Sequence, residues 1–309
     1  MTVQTFAWGV FALVVIALLI LDLGVLNKKN EIVGFKKSIY TSLFYIAISC
    51  LFGVFVFYEF GAQEAGEYYT GFLLEKTMSL DNIFMMSMIF TFFKIPQRYQ
   101  HRVLFWGILG VIILRGVMIY SGAVLLQQFS WILFVFAGVL VITGFKTLYM
   151  VDKPAIDIKD MFIYKWLSSR LNLHPELVGN KFTVKKEGKL FFTPLFMALI
   201  TIESMDLIFA IDSIPAIFAV TQNTFIVYSS NIFAILGLRA LFFCLADITQ
   251  RFKYLKYSLA IILILIGVKI FVAHFVPVPK LVPLLITVSL ILIGILISVI
   301  KEKGKKNRY

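Results

Sequence analysis

Long apolar stretches broken by short polar segments run the length of the chain. Apolar windows fall at 6–26, 39–58, 68–93, 103–122, 130–150, 191–220, 225–246, 256–276 and 281–300. Most reach the ~20 residues that a helix needs to cross the hydrocarbon core of a bilayer. The pattern predicts an all-α polytopic membrane protein with nine transmembrane helices. One polar segment, 151–190, is long. In it 161–171 reads as a short helix, and the apolar residues flanking Glu187 and Gly188 predict a β-hairpin leading into span six.

Composition supports the membrane reading. Hydrophobic residues make up 60% of the 309, against about 45–50% in a soluble globular chain, and only 15% are charged. The net charge of +12 would suggest nucleic acid in a soluble protein, but its distribution says otherwise. Lys and Arg number four in 27–37, three in 94–102, eight in 151–190, two in 247–255 and five from Lys301 onward. The alternate loops hold only Lys280. Cytoplasmic loops accumulate such residues, so the charge predicts an N-terminus outside and a C-terminus in the cytoplasm, in a bacterial-type inner membrane, with no nucleic-acid partner. No Lys or Arg precedes the first window, which therefore reads as a retained span rather than a cleaved signal. Cys50 and Cys244 lie far apart in apolar stretches, which gives no support to a disulfide framework, a zinc knuckle or a thiol redox site.

The chain also carries an internal repeat. Ser79-Leu80-Asp81-Asn82-Ile83-Phe84 in span three matches Ser204-Met205-Asp206-Leu207-Ile208-Phe209 in span six at an offset of 125. Leu114-Arg115 matches Leu238-Arg239 at 124, and Gly144 and Lys146 match Gly267 and Lys269 at 123. Spans three and six cross in opposite directions, so the repeat is inverted, a construction of secondary transporters that places the substrate site near the midplane. The organisation predicted is 1–67 for spans one and two, 68–150 for the first three-helix repeat (spans 3–5), 151–190 for a cytosolic loop, 191–276 for the second repeat (spans 6–8), and 277–309 for span nine and a basic tail.

Six acids fall inside the spans, Asp22, Glu75, Asp81, Glu203, Asp206 and Asp212, together with five bases, Lys76, Arg115, Lys146, Arg239 and Lys269. Facing lipid they would forfeit about 30 kcal/mol in all, so they must face one another or water. Asp81 and Asp206 read as a central pair at equal depth. Pro215 predicts a break near 211–213, which would let Glu203 and Asp212 line one cavity and free carbonyls for a cation. With Asn82, Ser79 and Ser213 these acids offer hard oxygen ligands suited to Mn²⁺, Mg²⁺ or Ca²⁺. The bases read as interhelical partners or as counter-charges standing in for an absent cation. His101, His174 and His274 lie at loops or helix ends. No HExxH, GxSxG or glycine-rich phosphate loop is present, so the chain does not read as an enzyme and no prosthetic group is expected.

The stretches Glu75–Phe84, Glu203–Thr221 and Ser230–Ala240 resemble the signature sequences of the TerC family, its Alx-type members most closely. The resemblance runs from Asp22 to the basic tail. It implies membership of the LysE transporter superfamily and a role in manganese export, with tellurite resistance attached by name. It also implies that Asp22, Glu75, Asp81, Glu203, Asp206 and Asp212, with Asn82 and Ser213 beside them, are the family's functional positions. The function expected is export of Mn²⁺, with exchange against protons as its coupling. An efflux carrier for another small solute, and a membrane scaffold supporting metalation of secreted enzymes, are the alternatives. The partners expected are the bilayer and a divalent ion.

Overall fold

The computed structural model describes residues 3–21, 35–150, 158, 162–186, 188–245, 253–273 and 282–306. Its elements in chain order are α1 (Val3–Leu21), α2 (Phe35–Phe60), α3 (Ala62–Phe92), α4 (Gln97–Gln128), α5 (Ile132–Met150), α6 (Phe162–Arg170), β1 (Thr183–Lys186), β2 (Lys189–Phe192), α7 (Pro194–Phe218), α8 (Thr224–Leu236), α9 (Leu238–Leu245), α10 (Lys253–Ala273) and α11 (Val282–Lys306). Among the described residues six helices are long and apolar enough to cross a membrane: α1, α2, α4, α5, α7 and the α8–α9 run Thr224–Phe243. Large apolar side chains such as Leu13, Ile113, Tyr120, Ile142 and Leu285 stand exposed on the outside of the bundle. Apolar surface on this scale marks a membrane or partner interface. The protein is an integral membrane protein.

Helix α3 falls outside the six because Glu64, Glu67, Glu75, Lys76, Asp81 and Asn82 dilute its apolar character. It lies centrally instead, packed on α2, α7, α8, α10 and α11. An aromatic cluster seals one side of it, where Phe11 of α1, Phe52 of α2, Tyr68 of α3 and Phe225 and Phe233 of α8 are all buried. The Phe52 and Phe233 ring centroids are 4.5 Å apart. A second cluster, including Ile83, Phe90, Val103, Leu195 and Phe242, joins the C-terminal end of α3 to the starts of α4 and α7 and to α9.

Two helix pairs frame the interior of the bundle. On α4 and α7, Gly110 faces Glu203, Arg115 faces Asp206 and Ser213, and Gly122 faces Phe218, so the helices lie side by side and parallel. On α5 and α10 the order is reversed. A Cβ on Gly144 would lie 2.8 Å from the Ala260 carbonyl and 2.5 Å from Ile264, and a Cβ on Gly267 would lie 2.8 Å from the Ala137 carbonyl and 2.8 Å from Val141. Each partner is the repeat mate of the other's partner, since Ala137 with Ala260 and Val141 with Ile264 share the 123 offset of Gly144 with Gly267. Small residues let membrane helices approach backbone to backbone in this way.

The predicted hairpin is present as an antiparallel pair with Thr183 opposite Phe192 and Lys186 opposite Lys189. Gly188 adopts φ 75 at its turn, a conformation glycine takes without cost. Glu187 lies outside the described residues. The predicted break in span six is absent: α7 is one helix of 25 residues with Pro215 inside it. Proline withholds only its own amide, so the ladder on either side carries the helix through, as neighbouring helices in a bilayer permit. The interruption falls in span seven, at Gly237 between α8 and α9.

Candidate functional site

Arg115 projects from α4 into the centre of the bundle and is 1% exposed. Its Nε and Nη2 donate to Asp206 Oδ2 and Oδ1 of α7 at 3.1 and 3.0 Å, a two-pronged clasp. Its Nη1 donates toward Glu75 of α3, Ser213 Oγ of α7 at 3.2 Å and Asn231 Oδ1 of α8 at 3.1 Å. Asn231 Nδ2 in turn donates to Glu75 Oε2 at 3.0 Å, and Asn82 Nδ2 of α3 to Asp206 Oδ1 at 3.1 Å. Four helices thus meet on one guanidinium. A buried arginine between two carboxylates is tolerable only with its donors met, because desolvating unpaired charge costs several kcal/mol per ion.

Two features of this centre go beyond ion pairing. Nη1 carries two hydrogens but meets three oxygens, more acceptors than it can fully satisfy. Beside Asp206, the Asn82 Oδ1 and both Glu203 carboxylate oxygens are buried without a hydrogen-bond partner. Such orphaned oxygens are rare and call for an explanation, a bound water, an ion or a mechanistic role. Glu203 is pressed against α4 where Gly107 and Gly110 make room: a Cβ on Gly110 would lie 2.5 Å from Oε2. A small cavity lies on the Asp206 side of this place, bordered by Met86, Gly107, Val111, Ile202, Asp206 and Arg239.

The remaining predicted residues lie elsewhere. Asp81 does not meet Asp206. It pairs with Lys256 of α10 at 2.8 Å, its side chain 29% exposed, because it points to the α10 side of α3 while Asn82 takes the place facing α7. Asp212 accepts from Thr143 Oγ1 of α5 at 2.8 Å and does not converge with Glu203, since the unbroken α7 keeps the two on different faces. Lys76 donates to the Ala234 carbonyl of α8 at 3.0 Å, next to the Gly237 interruption. Arg239 is buried at the cavity edge. Lys146 is exposed near Asp212 on α5, and Lys269 is half-buried on α10. Ser79 is buried and bonds its own helix at the Lys76 carbonyl. Asp22 lies outside the described residues. Among the described residues no three His, Cys, Asp or Glu side chains form a metal-binding group. The expected cluster of acids is replaced by two carboxylates around Arg115, with Glu203 one turn away.

Sequence reasoning missed Asn231 and the glycines at 107 and 110 as parts of this centre, and Thr143 and Lys256 as the partners of Asp212 and Asp81 outside it. Asn231 had a signal, a lone amide in the apolar run of α8. The glycines and Lys256 had none that marks a partner.

The integral membrane protein TerC family model matches residues 60–308. An "uncharacterized membrane protein" of Rickettsia felis is 57% identical over 296 residues, covering 96% of this chain and 98% of that protein. A Salmonella typhi protein named "putative membrane-bound redox modulator Alx" is 39% identical over 314 residues, covering 97% of each chain. A Myxococcus xanthus membrane protein is 41% identical over 296 residues, with 96% of this chain and 92% of that one covered. No solved structure matches the chain.

Proposed function

The chain belongs to the integral membrane protein TerC family, and from that membership and the geometry of its centre we propose that it exports a divalent cation, Mn²⁺ foremost, across the inner membrane. The observation that carries this reading is the set of buried, unpartnered oxygens of Glu203 and Asn82 beside Asp206, next to a cavity and inside apolar helices. Carboxylate and amide oxygens are hard ligands suited to Mn²⁺, Mg²⁺ and Ca²⁺ alike. Manganese is the choice that the TerC resemblance adds. Glu203, Asp206 and Asn82 would hold the ion, with Glu75, Ser213 and Asn231 behind them. Asp81 and Asp212 would serve its path rather than its seat.

The architecture proposed is nine spans with an N-terminus outside, a C-terminus in the cytoplasm and an inverted repeat of spans 3–5 and 6–8. The reciprocal contacts of Gly144 and Gly267 support the repeat, because a two-fold axis makes each half present the same patch to the other. Moving a divalent ion out against an inside-negative potential costs about 4.6 kcal/mol per 100 mV. Returning two protons would cancel that cost, and carboxylates that bind metal compete with protons for the same oxygens. Proton exchange is accordingly the coupling proposed.

Purified protein in liposomes, with no partner present, tests the reading. Radiolabelled Mn²⁺ should move, a pH-sensitive dye should report opposite proton movement, and Asp206→Asn should stop both while the protein still inserts. Absence of flux with the wild-type chain would overturn export and favour a scaffold that acts only with partners. Flux without proton movement would overturn the coupling alone.

A further inference from the structure

Asp206 is largely occupied as it stands, because Arg115 clasps both of its oxygens and one also accepts from Asn82, and the guanidinium held against it repels an incoming cation. The export reading, on which this inference rests, therefore needs a step that frees the carboxylate. The geometry points to Arg115 as a tethered cation that occupies Asp206 between transport events and yields it to the transported ion. Three facts support this role. The guanidinium sits on the carboxylate nearest the unpartnered oxygens of Glu203 and Asn82, so the fixed cation and a mobile one would compete for one anion. Arg115 has a second hold independent of Asp206, since Nη1 meets Glu75, Ser213 and Asn231, three oxygens for two hydrogens. Releasing Asp206 thus leaves the guanidinium paired with Glu75 and its charge compensated. The cavity bordered by Gly107, Val111 and Asp206 lies on the approach to the shared carboxylate, along the same face of α4.

Arg115 is in this sense a positioning residue that sets when the site is open, and it need not touch the ion. Its bidentate grip matters: a guanidinium occupies both carboxylate oxygens at once, whereas an ammonium holds a carboxylate as a point charge. A purely structural arginine would predict the opposite consequence of its removal, loss of the site's shape and with it loss of binding.

The test measures Mn²⁺ binding to the detergent-purified full chain by calorimetry, alongside flux in liposomes. Arg115→Gln should bind Mn²⁺ about tenfold more tightly than wild type, or ~1.4 kcal/mol, and should transport it more slowly because nothing expels the ion. Free guanidinium added to Arg115→Ala should compete with Mn²⁺ and leave wild type unaffected. Arg115→Lys should fall between. A folded Arg115→Gln that binds no more tightly than wild type would overturn the proposal. Should these variants fail to fold, wild type labelled with ¹⁵N-arginine decides: its infrared difference spectrum on Mn²⁺ addition should show an isotope-sensitive guanidinium band, and a silent arginine region rejects the step. Wild type that neither binds nor moves Mn²⁺ removes the export reading itself, whereas normal wild-type flux with no gain in Arg115→Gln removes only the role of Arg115.

Discussion

Where α5 meets α10, backbone lies on backbone, with glycine, alanine and aliphatic side chains between; where α4 meets α7, the glycines of α4 instead make room for a carboxylate. Gly144 and Gly110 illustrate the contrast. The first admits the carbonyl of Ala260 and the second admits Glu203, each to a distance that no Cβ tolerates. Both seams use the absence of a side chain, one to exclude everything and the other to seat a charge. A dry seam of interlocked small residues has one good arrangement. At the charged seam one guanidinium nitrogen, Nη1 of Arg115, meets three oxygens, so its hydrogens have alternative partners within reach. The α5–α10 seam is thus apolar and interlocked, and the α4–α7 seam polar and shared.

The largest effect should come from the charged seam. Glu75→Gln removes one of the two carboxylates on Arg115 while the two-pronged Asp206 pair stays, and should cost about 1.5–3 kcal/mol of stability, the range for a hydrogen bond to a charged group, read as a lowered midpoint of unfolding in detergent. An unchanged midpoint would mean that the centre is wet and loosely held. Next is the dry seam. Gly144→Ala places a Cβ against backbone that cannot yield and should cost about 1–3 kcal/mol, while Gly138→Ala, with nothing within 4 Å of its Cβ, should be neutral. Equal effects at the two glycines would erase the distinction between a packed and an open face of α5.

Smaller still is Asp81→Asn, which removes a partly exposed pair with Lys256 and should cost under about 1 kcal/mol. Its flux should fall far less than that of Asp206→Asn. Comparable loss in both would restore Asp81 to the centre of transport. The smallest effect is expected at Cys50, which is exposed and free on α2. Cys50→Ser should change stability by no more than about 0.5 kcal/mol and leave Mn²⁺ flux unaltered, and a loss of flux would direct attention to thiol chemistry.

The apolar windows locate the helices well, because a bilayer-spanning helix is long and continuous enough for length alone to define it. The hairpin at 183–192 is equally legible, from a glycine turn between apolar flanks. Residues in the centre are legible one by one: Glu75, Asp206, Asn82, Arg115 and Ser213 are all polar groups where polarity is expensive. Their pairing is not. Helical periodicity gives the face of a residue but not the neighbour across the gap, so Asp81 and Asn82, adjacent in sequence, divide between α10 and α7 in a way only packing decides. Pro215 misleads for a related reason. It states that one hydrogen bond is lost, and the surroundings determine whether the helix breaks.

The strand hairpin is fastened to the head of α7. Thr193, the residue just before that helix, donates its amide to the Phe182 carbonyl at 2.9 Å and its hydroxyl to the Lys181 carbonyl at 2.8 Å, and Phe192 donates to Asn172 at 2.8 Å. Helix α7 carries Glu203, Asp206 and Asp212, so any tilt of that helix has a lever arm outside the bundle. A reporter dye on Lys186 or Lys189, both exposed at the tip of the arm, would register any tilt that moves the buried carboxylates of α7.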